Sequence, residues 1–187
     1  MKKQNFFFSV FMALCAMTTL FTSCGGDDAP QQDPQYTPAT ARLACALLTD
    51  DATLVNFDFY VKWYDANGEV KSEKVVWNEQ KDNAGHRICV KDVTAKLPAT
   101  LGVYCEMKLK DGVAPQAIYH IAHGYNYSFN SYTVSGGIIN TGGLGDYTEY
   151  EVDEAELAML VSKSLLKFYN EVYQFDSKGG WSKSTWQ

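Results

Sequence analysis

The chain has 187 residues, of which 46% are hydrophobic and 14% aromatic, and its formal net charge at pH 7 is −6. This acidity argues against nucleic acid and against an anionic membrane surface as partners, because both would repel the chain. The length fits a short leader followed by one folded domain.

The first 23 residues have the pattern of a secretory signal peptide. Lys2 and Lys3 precede an uncharged run of sixteen residues, 6–21. A membrane-spanning helix needs about twenty apolar residues, so this run is short for a span and typical of a signal peptide. We predict that residues 1–23 are removed, which makes the remaining chain two units more negative.

The residues around Cys24 indicate how the mature chain begins. The cysteine stands between "LFTS" (residues 20–23) and "GGDD" (residues 25–28). This stretch resembles the lipobox of bacterial lipoproteins followed by the acidic export signal of surface lipoproteins in Bacteroidota. The resemblance implies lipidation of Cys24, palmitate included, and an outer-membrane location facing the cell exterior. Each buried methylene of such an anchor contributes about 0.8 kcal/mol. The alternatives are an ordinary secreted protein and a merely solvated acidic linker.

Residues 24–40 are predicted to form a lipidated flexible tether. They contain Pro30, Pro34 and Pro38 and almost no apolar residue, a composition typical of a semi-extended linker. The folded part is expected to be a single domain over residues 41–187.

Most of that domain alternates between apolar and polar residues. The alternation is strictest in 54–64 and 101–110, which predicts strands with one buried face. The turn signal "DANG" predicts that 54–64 forms a hairpin with the next strand. The further predicted strands are 42–48, 69–77, 86–91, 117–122, 125–134 and 147–152. So many short strands predict a mainly β fold, an antiparallel β-sandwich of immunoglobulin-like or transthyretin-like type.

One segment shows helical periodicity instead. Asp153 and Glu156 have the spacing of a capping box, and apolar residues recur at helical intervals after them. This predicts one C-terminal amphipathic helix at about 154–172. The alternative architecture is a lipocalin-like barrel, which also carries a late helix.

Residue types that perform catalysis or bind metals are sparse. Cys45, Cys89 and Cys105 are interpreted as small core residues, with a Cys89–Cys105 disulfide as the alternative because the export route is oxidising. His120 and His123 would point to opposite sides of a strand, and no clustered acid or cysteine completes a zinc ligand set. We predict no enzyme activity, no metal and no cofactor.

The glycine-rich stretch 135–147 lacks the following helix and the lysine of a phosphate-binding motif. It is predicted to be a long mobile loop, of a length that is more often functional than decorative.

Aromatic side chains are the candidates for ligand binding. Three of them fall on one face of a predicted strand whose other face carries amides and serine, and two stand in a polar C-terminal segment. Rings stack on the C–H faces of sugars while amides bind hydroxyl groups. The candidates are Tyr125, Tyr127, Phe129, Trp181 and Trp186. The alternative for the first three is a place in the core.

The sequence therefore predicts a lipid-anchored, non-catalytic binding module at the cell surface. Its partner is a polysaccharide or an outer-membrane protein. One alternative is a structural subunit, similar in outline to fimbrial lipoproteins that polymerise by strand exchange after cleavage, for which Arg42 stands near the expected position. The other is a hydrolase, for which no nucleophile or acid pair is recognisable.

Overall fold

The structure is a computed structural model that describes residues 36–186. Strands make up 59% of these residues, so the fold is mainly β as predicted. The strands are β1 (Pro38–Thr49), β2 (Phe57–Tyr64), β3 (Val70–Lys74), β4 (Arg87–Lys96), β5 (Ala99–Leu109), β6 (Tyr119–Thr133), β7 (Ile138–Val152), β8 (Lys167–Phe175) and β9 (Trp181–Ser184). The helices are α1 (Asp51–Asn56) and α2 (Glu154–Ser162).

The strands form two antiparallel sheets. The four-stranded sheet has the order β4-β1-β6-β7 and the five-stranded sheet the order β3-β2-β5-β8-β9. Each sheet ends in its own edge strands, so the arrangement is sandwich-like. A lipocalin-like barrel would be a single closed sheet, so that alternative is wrong. Within residues 36–186 no helix is long and apolar enough to cross a membrane.

The core lies between the two sheets and takes alternate residues from their strands. Rings from both sheets meet there, and the centroid of Phe129 on β6 lies 4.5 Å from that of Tyr173 on β8. Full burial of one large apolar side chain contributes about 1.5 to 3 kcal/mol. The inward side of β5 was predicted correctly, and it consists of Leu101, Val103, Cys105 and Met107.

The boundary of the domain differs slightly from the prediction. The leader 1–23, Cys24 and most of the tether 24–40 lie outside the described residues. The last three tether residues belong to β1, which begins at Pro38. Proline is acceptable as the first residue of a strand because its missing N–H leaves no ladder bond unmade. A chain that starts at Gly25 retains every strand and helix described here.

The strand predicted for residues 54–64 is wrong in its first three residues, which belong to α1. The Asp50 carboxylate accepts a hydrogen bond from the backbone N–H of Thr53 (2.8 Å) and so caps this short helix. Val55 fits the alternating pattern of the strand, yet it is 67% exposed. The helix cap formed by Asp50, and not the apolar alternation, therefore determines the conformation of these three residues.

The predicted helix 154–172 is wrong over its second half. Helix α2 begins with the predicted capping box, formed by Asp153 and Glu156, but ends at Ser162, and Ser164 takes a positive φ of 52°. Residues 167–175 form β8 instead, paired with β5 and β9. The segment "KFYNEVYQF" is rich in residues that favour strands, and the β conformation buries its alternate rings in the core.

The predicted mobile loop 135–147 is also wrong, because from Ile138 onward it forms the first two thirds of β7. A Cβ at residue 142 would overlap the ring of Phe129, and one at residue 143 would overlap the carbonyl oxygen of Tyr127. These glycines allow β6 to approach β7 closely. In the sequence, such a run of glycines resembles the composition of a loop.

Candidate functional site

Three of the five predicted ligand residues lie on the inner face of β6. Tyr127 and Phe129 are buried, at 8% and 3% exposure, so for these two the core alternative is correct and the ligand prediction is wrong. Tyr125 is half-buried, with its ring 4.7 Å from that of Tyr169. The alternating aromatics pack inward because β6 is a central strand between β1 and β7.

The two predicted tryptophans lie in different places. Trp181 is 43% exposed, but it contacts Phe129 at 4.5 Å between ring centroids and so covers one end of the core. Trp186 lies on the outer face of the five-stranded sheet, where its backbone N–H donates a hydrogen bond to Asn170 Oδ1 (2.9 Å). Trp186 is therefore the predicted residue that the structure places beside other surface side chains suited to a ligand.

A row of side chains crosses the outer face of this sheet next to Trp186. Tyr104 on β5 pairs directly with Lys62 on β2 and with Asn170 on β8. Residues that pair directly point to the same face, so these three side chains stand beside one another. The strand register thus brings an aromatic ring, an ammonium group and an amide together.

The indole of Trp186 stacks on a second ring at this place. Its centroid lies 4.5 Å from that of Tyr64, and the two planes are inclined by only 13°. The indole Nε1–H is buried and has no hydrogen-bond partner among the described residues. Buried donors usually have a partner, so this one is an exception, and the indole would have to rotate before an acceptor from outside could reach it.

The lysines on this face fall into two groups. Lys74 and Lys108 form ion pairs with Asp58 (2.7 Å) and Glu106 (3.0 Å). Lys62, in contrast, forms no ion pair with any residue in 36–186, and its Nζ lies 5.3 Å from the centre of the Tyr104 ring.

Lys167 also lacks an ion pair within the described part of the chain, and its Nζ lies 5.8 Å from the same ring. Burial, together with the hydrogen bond that Tyr104 donates to Glu106, raises the pKa of the Tyr104 hydroxyl. Tyr104 therefore stays neutral between two ammonium groups.

Two open clefts lie near the stacked pair: Trp186 lines one of them and Tyr64 lines the other. One cleft, of about 160 Å³, is lined by Lys62, Tyr104, Lys167, Asn170 and Trp186. The other, of about 350 Å³, is lined by Tyr64 among other residues and reaches the size of common ligand sites. We call the surface formed by Lys62, Tyr64, Tyr104, Lys167, Asn170 and Trp186 the aromatic–lysine groove.

The histidines lie elsewhere and support local structure. His120 Nε2 is 2.7 Å from Asp50 Oδ2, the cap of α1, and His86 Nδ1 is 3.0 Å from Asp82 Oδ2. No hydroxyl or thiol hydrogen-bonds to either ring in the described chain, and residues 36–186 contain no group of three histidines, cysteines or acids placed to hold a metal. His123 is half-buried and stacks on Phe168, on the opposite side of β6 from His120.

The three cysteines of the domain are buried free thiols. Cys89 on β4 and Cys105 on β5 are not bonded to each other, so the disulfide alternative is wrong for this structure. Burial raises the pKa of all three thiols, including Cys45. A thiol that stays protonated is a poor nucleophile.

Sequence reasoning did not single out most of the groove. The sequence did indicate that Lys62 and Tyr104 face outward, because the alternation places them on the polar faces of two predicted strands. Asn170 and Lys167 carried no such signal, since their segment was expected to be helical. The order of strands, which places these residues side by side, is a tertiary property.

Comparison of the chain with protein-family models, with curated proteins and with solved structures gave no match.

Proposed function

We propose that this chain is a non-catalytic binding module and that the aromatic–lysine groove binds a glycan. The observation that carries the proposal is the stacked Trp186–Tyr64 pair, which lies next to an amide and two unpaired ammonium groups. The groove combines aromatic rings with polar groups, the two kinds of contact that a sugar needs.

Each part of a sugar ring has a counterpart in the groove. The apolar C–H face packs on Tyr64, which also lines the larger cleft. Hydroxyl oxygens accept hydrogen bonds from the ammonium groups of Lys62 and Lys167, which line the smaller cleft. Asn170 both donates and accepts, and one lone pair of its carbonyl oxygen is engaged by the backbone of Trp186.

The location is part of the same proposal. A lipid on Cys24 would hold the domain at the outer membrane, facing the cell exterior, through an acidic, proline-containing tether. The residue pattern of the leader and of "FTSCGGDD" supports this placement. We also propose that the sandwich is of immunoglobulin-like or transthyretin-like type, supported by its two antiparallel sheets.

The assembly alternative finds less support near Arg42. This residue lies inside β1, paired with Thr94 on one side and Asn130 on the other, and its guanidinium forms an ion pair with Asp92. A protease needs an unpaired, extended segment, which a central strand does not offer.

The test is a titration of the chain from Gly25 to Gln187 against neutral and uronic-acid polysaccharides, followed by calorimetry. We expect saturable binding that weakens about fivefold when a stacking ring is lost, in Trp186→Ala or Tyr64→Ala, since such contacts contribute about 1 kcal/mol. Lys62→Gln should weaken binding while Lys163→Gln, an exposed lysine on the helix end, should not. Circular dichroism checks that each variant is folded. No heat signal across the panel, or equal loss in both lysine variants, would contradict the proposal.

A further inference from the structure

The four edge strands of the two sheets differ in how they are protected. β3 and β9 are only five and four residues long, and each carries lysine. β4 carries one arginine and two lysines. Shortness and lysines are common devices that prevent an edge from pairing with another chain. β7 has neither, because its fifteen residues, "IINTGGLGDYTEYEV", contain no lysine, no arginine and no proline.

One side of β7 is unpaired over its whole length. β6 pairs with its other side from Val152 to Ile138, and within residues 36–186 no strand pairs with the free side. The N–H and C=O groups of that side point away from the sheet and can accept a further antiparallel strand. Leu144 on this strand is 61% exposed and Ile138 is 50% exposed.

The charges on β7 are confined to its second half. Residues 138–145 are uncharged, and Asp146, Glu149 and Glu151 follow. In an antiparallel pair of two identical strands centred on Thr141, the uncharged stretch of one copy lies along that of the other. The acids of each copy then extend beyond this stretch and do not face acids. A centre in the second half would place acids directly opposite or diagonal to each other, which is unfavourable.

We propose that β7 pairs antiparallel with β7 of a second copy of this chain, centred on Thr141. The pair joins two four-stranded sheets into one continuous sheet of eight strands with two-fold symmetry. The glycines of the uncharged stretch, Gly142, Gly143 and Gly145, leave room for close approach of the second copy. This surface belongs to the four-stranded sheet, so the inference is independent of the glycan groove on the five-stranded sheet.

The first experiment is sedimentation equilibrium of the chain from Gly25 to Gln187 over a range of concentrations. We expect a mass that rises toward twice that of the monomer, and a stronger association at higher salt because salt screens the repulsion between two acidic chains. Thr141→Lys should remain monomeric. Val90→Lys, on the edge strand at the opposite side of the same sheet and also exposed, should associate like the parent chain. A parent chain that stays monomeric at high concentration and high salt would overturn the proposal.

A second measurement tests the register. Directly paired residues of antiparallel strands have Cα atoms about 4.5 to 5.5 Å apart, within disulfide range. Thr141→Cys should therefore form a disulfide-linked dimer on mild oxidation, while Val90→Cys should link at least tenfold more slowly. Equal rates for the two variants would refute the pairing, whether or not the chain binds a sugar.

Discussion

The ring of Phe129 lies directly over Gly142, so closely that the two strands β6 and β7 have room for only one side chain at this position. Phe129 in turn contacts Tyr173 and Trp181, rings from the opposite sheet. The glycine is therefore part of the packing of the core even though it lies on an edge strand.

Gly142→Ala should destabilise the domain, because the added methyl group must displace the Phe129 ring. Overpacking of this kind costs about 1 to 3 kcal/mol. Urea unfolding followed by fluorescence measures the effect. Gly145→Ala is the comparison variant and should cost less, since its Cβ would make a tight contact of 3.2 Å with the carbonyl oxygen of Tyr125 but no overlap. Equal stability of the two variants would contradict the close contact.

Asp50→Ala should lower the free energy of unfolding by about 1 to 2 kcal/mol, because the backbone N–H of Thr53 and the ring of His120 both lose the carboxylate that accepts their hydrogen bonds. The carboxylate caps α1 through Thr53 and also lies 2.7 Å from His120 Nε2, on β6. Asp153→Ala removes a helix cap without a histidine partner and should cost about 1 kcal/mol. Thermal and urea unfolding of both variants compare the two caps, and a larger loss in Asp153→Ala would count against the role of Asp50.

His123 should make the domain less stable in mildly acidic solution. Burial lowers the pKa of its imidazole below the usual 6.5, with Asp146 acting in the opposite direction. The unfolded chain thus binds a proton more readily than the folded one. The contribution to stability is complete above about pH 6.5 and is lost as the pH falls toward the folded pKa. Between about pH 7.5 and pH 5.5 the parent should lose more unfolding free energy than His123→Phe, and identical losses would show that His123 does not titrate in this way.

Trypsin should leave the bond after Arg42 intact in the folded domain. Lys178 stands exposed in the turn between β8 and β9 and should be cut first. Mass spectrometry of the first fragments identifies the site, and digestion in urea confirms that the bond after Arg42 is cleavable in the unfolded chain. Early cleavage at Arg42 in buffer would revive the assembly alternative.

The sequence was most informative where one face of a strand is fully buried. The alternation on β5 identifies Leu101, Val103 and Cys105 as core residues, because burial of one face leaves a period of two in the sequence. The same rule misplaced residues 54–56, where the side chain of Asp50 starts a helical turn. A local hydrogen bond of this kind leaves no trace in the apolar pattern.

The remaining errors share a tertiary cause. The segment of β8 satisfies both helical and strand spacing, and only its neighbours β5 and β9 decide between the two. The glycines of β7 look like loop residues until the ring of Phe129 and the carbonyl group of Tyr127 are placed beside them. The groove could not be assembled from the sequence, because Lys62, Tyr104 and Asn170 become neighbours only through the strand order.

The position of β1 determines how the domain responds to force. β1 is the first strand of the domain and lies between β4 and β6, with ladder bonds on both sides. A pull on the chain at residue 37, along the strand, loads these bonds together in shear instead of opening them one at a time. If the proposed tether holds the domain at this end, the domain would resist unfolding by flow or by a pull on a bound ligand more strongly than one that is attached through an edge strand.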